Sequence, residues 1–348
     1  MTTLGVGGRA RWFARATDVE EAAAAVKWSG DRSVPLFVLG GGSNLVVADG
    51  GFDGLVLQMA LGGVDFRANG DATRVHVGAG EPWDEVVAVA VSRGLAGLEC
   101  LSGIPGTTGG TPIQNVGAYG QDVSRSIASV TVLDRMTGAT KVLTGRDCRF
   151  GYRTSRFKGE DAGRFLVCDV TFELRAGPPT LAYPDVITEL ERRRLTAPSP
   201  ADVRDAVLSI RRGKGMVIDP TDPDTRSVGS FFMNPVVDAA HVPRLTSEGG
   251  GRAPAYELPG GRVKIPAAWL IEQSGFARGY GAGAAGISSK HPLAIVNRGA
   301  ATARDVLALA VQIKRKVADR FGIWLRPEPA FVGFGDDPDV AFLQETES

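Results

Sequence analysis

Ser230-Phe231-Phe232-Met233-Asn234-Pro235 sets a hydroxyl beside two aromatic residues and an amide, the makings of a walled pocket around a serine. Two Gly-rich loops lie upstream, LGGGSNL at 39–45 and GIPGTTGG at 103–110. Backbone N–H groups in such loops can converge on phosphate oxygens because no Cβ blocks the approach. Gly40-Gly41-Gly42-Ser43-Asn44 follows an apolar strand, the context such a nest requires. Gly103-Ile104-Pro105-Gly106-Thr107-Thr108-Gly109-Gly110 adds two hydroxyls to a second nest. Together the loops suggest a diphosphate cradle, and the serine suggests a cofactor enzyme whose chemistry uses a serine proton. Taken singly, each loop could be a tight turn between packed strands, and the serine could merely end a strand.

A third glycine pattern, GAGAAG at 281–286, fits the GxGxxG dinucleotide template. That fingerprint needs a strand before it and a helix after it. Here a Gly-rich turn precedes and the strand LAIVN (293–297) follows, so a Rossmann NAD site is rejected and close backbone packing near a ligand is expected.

The elements that must position these residues belong to an ordinary globular chain of 348 residues, 43% hydrophobic and 22% charged. That length suits about two or three domains. The formal net charge is zero, which implies no general affinity for nucleic acid or anionic membranes. The 46 glycines favour a turn-rich fold of strands and helices over a helical bundle. Cys100, Cys148 and Cys168 are sparse and odd in number, which points to a reducing compartment and against a disulfide framework or thiolate metal site. His76, His241 and His291 share no metal-ligand spacing, so no metal is expected. No apolar run reaches the length of a membrane span and no signal peptide is evident, so the expected location is the cytoplasm. A monomer is the default expectation.

Along the chain, the spacing predicts a helix over 18–28, with Thr17 as N-cap and Glu20 as its capping-box partner. Strands are expected at 35–39, 54–57, 73–79, 127–134, 140–144, 164–174 and 293–297, and helices at 82–94, 185–196, 199–213, 264–273 and 302–321. The last helix carries an apolar stripe at Val306, Leu309, Ala310, Ile313 and Val317. Residues 101–120 are expected to be mostly loop. Residues 175–185, with three prolines, read as a linker or mobile loop, and 219–227 as a second Pro/Asp-rich loop.

The ordered motifs LGGGSNLVV, GIPGTTGGTPIQNVGAYGQD, FGYRTSRFK, GSFFMNP, AAWLIEQSGF and RPEPAFVGF resemble the UDP-N-acetylenolpyruvoylglucosamine reductase family over nearly the whole chain. The resemblance implies an α+β fold: a two-lobed FAD-binding domain of the vanillyl-alcohol-oxidase superfamily plus a C-terminal α+β substrate-binding domain. The lobes would cover 1–60 and 61–197, with a substrate-lid loop near 175–185, the substrate domain 198–334, and a tail 335–348. The implied cofactors are non-covalent FAD and NADPH. The implied reaction reduces UDP-N-acetylglucosamine enolpyruvate to UDP-N-acetylmuramate for peptidoglycan: hydride passes from NADPH to flavin N5 and then to C3 of the enolpyruvyl group, and a proton is added at C2.

The same resemblance implies roles. Gly40 to Asn44, with Gly103, Ile104, Pro105, Gly106, Thr107 and Gly109, match the FAD diphosphate loops. Gln114, Asn115, Gly117, Ala118 and Tyr119 match the segment beside the flavin ring, and Arg211 an arginine near its pyrimidine edge. Ser230 matches the serine that protonates C2; Arg153 and Glu328 match the residues flanking the reacting carboxylate. Tyr183 matches a mobile-loop tyrosine, and Lys214, Asn234, Tyr256 and Lys264 fall at substrate contacts, with Lys214 and Tyr183 serving the UDP diphosphate. A planar arginine suits a carboxylate and a developing enolate, whereas a serine hydroxyl is a weak acid that needs a strongly basic enolate and neighbouring donors. The chain departs from the family pattern in a longer stretch between Lys214 and Ser230, in Pro329-Ala330 where relatives carry a basic residue, and in a start close to the first motif.

Two other readings compete. One is another FAD-dependent oxidoreductase of the same superfamily, many of which tether FAD through histidine. His76 is the only histidine in the first 240 residues and lies outside both glycine loops, which disfavours a covalent flavin. The other is a catalytically silent binding protein on the same scaffold, against which Ser230, Arg153 and Glu328 together argue.

Overall fold

A computed structural model describes residues 2–346. Met1, at the start of the expected first lobe, and residues 347–348, at the end of the expected tail, lie outside the described residues. The chain forms two compact units, Ala10–Gly42 with Asp53–Val217, and Met1–Arg9 with Ser43–Phe52 and Ile218–Ser348. The helix Pro200–Gly213, placed by sequence in the substrate domain, packs within the first of these units.

That first unit is built on an antiparallel sheet in the order Thr140–Thr144, Ile127–Asp134, Phe165–Ala176, Ala72–Gly78, Val64–Asn69, with Leu95–Ala96 also paired to Phe165–Ala176. Its register lines up apolar residues: Leu143 faces Val130, Val130 faces Val170, and Val170 faces Val77. The helix Trp83–Ser92 lays Trp83, Val86, Val87, Ala90 and Val91 on this layer, and the Trp83 ring lies 5.6 Å from Phe172. A smaller sheet pairs Leu36–Leu39 in parallel with Phe52–Met59, as expected of a strand that runs into a glycine loop.

The first helix runs Val19–Asp31, and its cap differs from expectation. Asp18, not Thr17, accepts from Glu21 N, while Thr17 donates its N–H and hydroxyl to Glu21. The helix starts one residue later than the box assumed, so the carboxylate at 18 reaches the orphan N–H first. The helix Pro200–Gly213 opens on a capping box of Ser199 and Asp202. All three cysteines are buried and unpaired; burial pushes the Cys100 and Cys148 thiols up to about 12 and Cys168 to about 11, so they are inert.

The second unit packs around the helix Ala303–Phe321, capped by Thr302 and Asp305 at its start and by Gly322 in the left-handed region at its end. The expected stripe is buried throughout. Leu45–Val47 pairs in parallel with Ala330–Val332, bringing Val46 into the same core as Leu4, Val6, Phe231 and Phe232. The expected helix 264–273 begins only at Ala267, because Pro266 has no N–H to donate and Arg262–Lys264 is a hairpin strand. The GAGAAG segment leads into a hairpin, Ala285–Ile287 against Ile295–Asn297, where a Cβ on Gly286 would run into the Arg298 guanidinium. The expected tail contains the helix Pro338–Gln344. Its last carbonyls are held by Lys314, fully buried, whose Nζ donates to the carbonyls of Phe342, Leu343 and Glu345 at 2.8, 2.8 and 2.6 Å. Burial lowers the Lys314 pKa to about 8. Lys314→Met strips those carbonyls of their donor, an expected cost of about 1–3 kcal/mol. It is checked by thermal melting and by earlier proteolysis around residues 337–344.

Candidate cofactor and substrate site

The glycines at the start of the first loop, Gly40 and Gly41, pack against the second loop within the first unit. A Cβ on Gly41 would meet Gly106 Cα at 2.6 Å, and one on Gly40 would meet the Thr107 hydroxyl at 2.8 Å. Only glycine permits this approach of two backbones. Beside the contact, Thr107 Oγ1 is buried without a hydrogen-bond partner. Gly103 N–H donates to Asp84 at 2.6 Å, and Arg204 pairs with both carboxylate oxygens at 2.5 and 2.9 Å. Burial raises the Asp84 pKa, but Arg204 and the Gly103 N–H outweigh it and hold the group below its ordinary value. Gly109 is seated on Ala79, donating its N–H to the Ala79 carbonyl at 2.9 Å. Ile104 and Pro105, between these points, are half-buried.

Asp84 has no role among the sequence expectations; its only signal there is an acidic residue in the first turn of a helix. The unit boundary falls inside the first loop: Gly42 lies in one unit, Ser43 and Asn44 in the other. Asn44 donates its amide to the Glu328 carbonyl at 3.3 Å, and the Ser43 carbonyl accepts from Thr3 at 3.2 Å.

Arg211 closes the far side of the second loop. Its Nη2 donates to the carbonyls of Gly103 and Met216 at 3.3 and 2.8 Å, and the Tyr119 hydroxyl lies near enough to act on its charge. Its Nε is buried without a partner. Burial lowers the Arg211 pKa and raises that of Tyr119. Thus the loops present an orphaned hydroxyl and tightly apposed glycines, which fit a dinucleotide diphosphate, and Arg211 adds an orphaned guanidinium N–H beside them.

The segment expected beside a flavin ring is strained. Asn115, Tyr119 and Arg153 all hold positive φ, at 46°, 49° and 54°. Non-glycine residues persist there only when their surroundings fix them, and such positions concentrate at functional sites. Here Asn115 donates its amide to the Gly151 carbonyl at 2.8 Å and accepts from Ser124 N–H at 3.3 Å. Arg153 donates to the carbonyls of Asn115 and Gly117. Gln114 accepts from Lys158 at 2.7 Å, and Ala118 pairs with Gln121 in a short hairpin. Arg153, Asn115 and Gly117 are therefore one cluster. Tyr183 joins it through Tyr119, ring edge to face at 5.3 Å; Lys214 lies 5.8 Å over the Tyr119 ring and is ion-paired with Asp185 at 2.8 Å.

In the other unit, Ser230 and Glu328 stand on facing segments. Glu328 N–H donates to the Phe231 carbonyl at 2.8 Å, Met233 N–H donates to the Arg326 carbonyl at 2.9 Å, and Phe232 bridges Pro327. Phe231 and Phe232 are fully buried members of the core, so they do not form the pocket wall that their place beside the serine suggested. The Asn234 side chain accepts from Ala267 N–H at 2.9 Å and so caps the helix that follows. Tyr256 and Lys264 are paired across a hairpin, with the ammonium 6.0 Å from the exposed ring.

Residues 10–144 match an FAD binding domain family, and 219–332 the C-terminal domain family of UDP-N-acetylenolpyruvoylglucosamine reductase. A UDP-N-acetylenolpyruvoylglucosamine reductase from Thermobifida fusca is 50% identical over 343 residues, covering 95% of each chain. The chain belongs to the UDP-N-acetylenolpyruvoylglucosamine reductase family. A relative of the same name from Mycobacterium tuberculosis is 45% identical, covering 96% of this chain and 93% of its own. The solved reductase from Thermus caldophilus, at 28% identity, superposes with a TM-score of 0.64 over 95% of both chains. As a member of this family the protein is an FAD-dependent oxidoreductase with the mixed α+β fold expected from its motifs; the family uses FAD and NADPH. No helix among the described residues is long and apolar enough to cross a membrane, and no group of metal-ligating side chains occurs among them.

Proposed function

We propose that the protein reduces UDP-N-acetylglucosamine enolpyruvate to UDP-N-acetylmuramate, a step of peptidoglycan synthesis, with NADPH rather than NADH as reductant. The observation that carries this reading is the backbone pairing of the segment that follows Ser230 with Arg326–Glu328, next to the buried Phe231 and Phe232. It is supported by two glycine loops whose orphaned donors suit FAD.

Gly40, Gly41, Gly42, Gly103, Gly106 and Thr107 would hold the FAD diphosphate, with Arg211 at the pyrimidine edge and Gln114 to Tyr119 along the ring. Ser43, Asn44, Ile104, Pro105 and Gly109 complete those loops. FAD, when bound, supplies hydride transfer between NADPH and the C3 carbon of the enolpyruvyl group. Arg153 holds the substrate carboxylate and stabilises the charge that develops on it. Ser230 gives a proton to C2, a transfer that a weakly acidic hydroxyl can make only to a strongly basic enolate. Glu328 orients the carboxylate end. Lys214 and Tyr183 serve the UDP diphosphate, and Asn234, Tyr256 and Lys264 the rest of the substrate.

Purified protein is expected to release FAD into the supernatant on acid precipitation and to oxidise NADPH only when the enolpyruvyl substrate is present. Flavin that stays with the precipitate, or NADPH oxidation indifferent to that substrate, returns the case to another flavin oxidoreductase.

A further inference from the structure

The Pro-rich loop before Tyr183 is tied down at one residue. Thr180 has its N–H, its hydroxyl and its carbonyl all engaged. The N–H donates to Glu99 Oε1 at 2.7 Å, the hydroxyl accepts from Gln121 Nε2 at 3.0 Å, and the carbonyl lies 3.5 Å from the Cys100 thiol. Glu99 is wholly buried, and its partners are all donors: Thr180 N–H, Gln121 Nε2 at 3.1 Å and Gly97 N–H at 2.6 Å. Gln121 is buried too and completes the ring by accepting from Cys100 N–H at 3.0 Å. A buried polar network whose groups are all matched fixes one geometry, because any slip leaves a desolvated group without a partner.

The clamp sits between the two things it could align. Gln121 pairs with Ala118, next to Tyr119, in the strained segment beside the proposed flavin site. Thr180 leads within three residues to Tyr183, whose ring packs on Tyr119. Midway, Ala182 lies against Gly120, where a Cβ would meet the Ala182 Cβ at 2.9 Å. The proline pair Pro178-Pro179 stiffens the approach to the clamp.

We propose that Glu99 and Gln121 are positioning residues for substrate binding: through Thr180 they fix the pivot from which residues 181–183 carry Tyr183 to the UDP moiety. This rests on the reading of Tyr183 as a substrate contact. Neither side chain touches the substrate. They act by setting where the loop leaves the sheet.

The test compares Thr180→Val, Thr180→Ser, Glu99→Gln and Tyr183→Phe as holoenzymes. It measures the dissociation constant and KM of the enolpyruvyl substrate, the FAD content and the rate of flavin reduction by NADPH. Thr180→Val removes only the hydroxyl acceptor. Glu99→Gln sets an NH2 against donors that need a carboxylate. Both are expected to weaken substrate binding about tenfold, the loss of one net hydrogen bond. FAD content and flavin reduction should stay near wild type, and Thr180→Ser should restore affinity. Hydrogen exchange should quicken over residues 177–183.

Loss of affinity in Tyr183→Phe together with wild-type affinity in Thr180→Val overturns the inference alone. Wild-type affinity in Tyr183→Phe removes the reading of Tyr183 and the inference with it. A fall in FAD content matching the fall in affinity makes the clamp merely structural and also overturns the proposal. Should Glu99→Gln fail to fold, Thr180→Val and its serine rescue decide the matter.

Discussion

Ser230→Ala is expected to take up reducing equivalents from NADPH at the wild-type rate, then to lose about 10²–10⁴-fold in the rate at which the enolpyruvyl substrate restores the oxidised spectrum, the usual range for a general acid. The two half-reactions are separable by stopped-flow absorbance. The substitution is mild for the fold. Ser230 is half-buried, and the hydrogen bonds that seat its neighbours run through the backbone of Phe231, which donates to the Leu293 carbonyl at 2.8 Å and accepts from Glu328 N–H. Ser230→Cys, which keeps a transferable proton, should fall between alanine and wild type. Equal damage to both half-reactions in the alanine variant would remove Ser230 as the proton donor.

Gly41→Ala should yield colourless protein. Its new Cβ would stand 2.6 Å from Gly106 Cα and 3.2 Å from Thr107 N, backbone atoms that cannot rotate aside. The loops must part, and the diphosphate donors part with them. Gly40→Ala is the control. Its Cβ meets the Thr107 hydroxyl at 2.8 Å, the end of a side chain that can change rotamer. It should retain most of its flavin. The flavin-to-protein absorbance ratio reads both. Loss of FAD also removes the stabilisation that a bound ligand confers, about 2.7 kcal/mol at a hundredfold excess over Kd, so the melting temperature of Gly41→Ala should cease to respond to added FAD. Stoichiometric flavin in that variant would mean that the glycine apposition is not the cofactor cradle.

How far these sites could be read from the sequence depended on whether the signal was local. The strands Ile127–Asp134 and Thr140–Thr144 fall where alternation placed them, and the helix Ala303–Phe321 where its apolar stripe did. Val64–Asn69 went unread: it is a charged, exposed edge strand whose pairing comes from its neighbour Ala72–Gly78 rather than its own pattern. Leu45–Val47 and its partner Ala330–Val332 are too short to announce themselves and are made by long-range pairing. Each glycine loop stood out by its composition, yet nothing in either reveals that Gly41 lies on Gly106. Arg153 stood out only within its motif. Its left-handed backbone and its hold on Asn115 and Gly117 are tertiary facts. Glu99 gave no signal at all, since a lone glutamate beside a cysteine reads as surface until its burial is seen.

The parallel pairing of Leu45–Val47 with Ala330–Val332 makes the unit holding Ser230 discontinuous along the chain. On the ribosome, the early segment emerges long before its partner, while everything needed for the other unit has been made by Val217. The half built around the glycine loops can thus complete itself during synthesis, leaving Leu4, Val6 and Val46 waiting for a core that arrives later. A recombinant fragment beginning at Ile218 would lack those three residues and expose the edge they cover, so splitting the gene at that junction yields an autonomous piece on one side only.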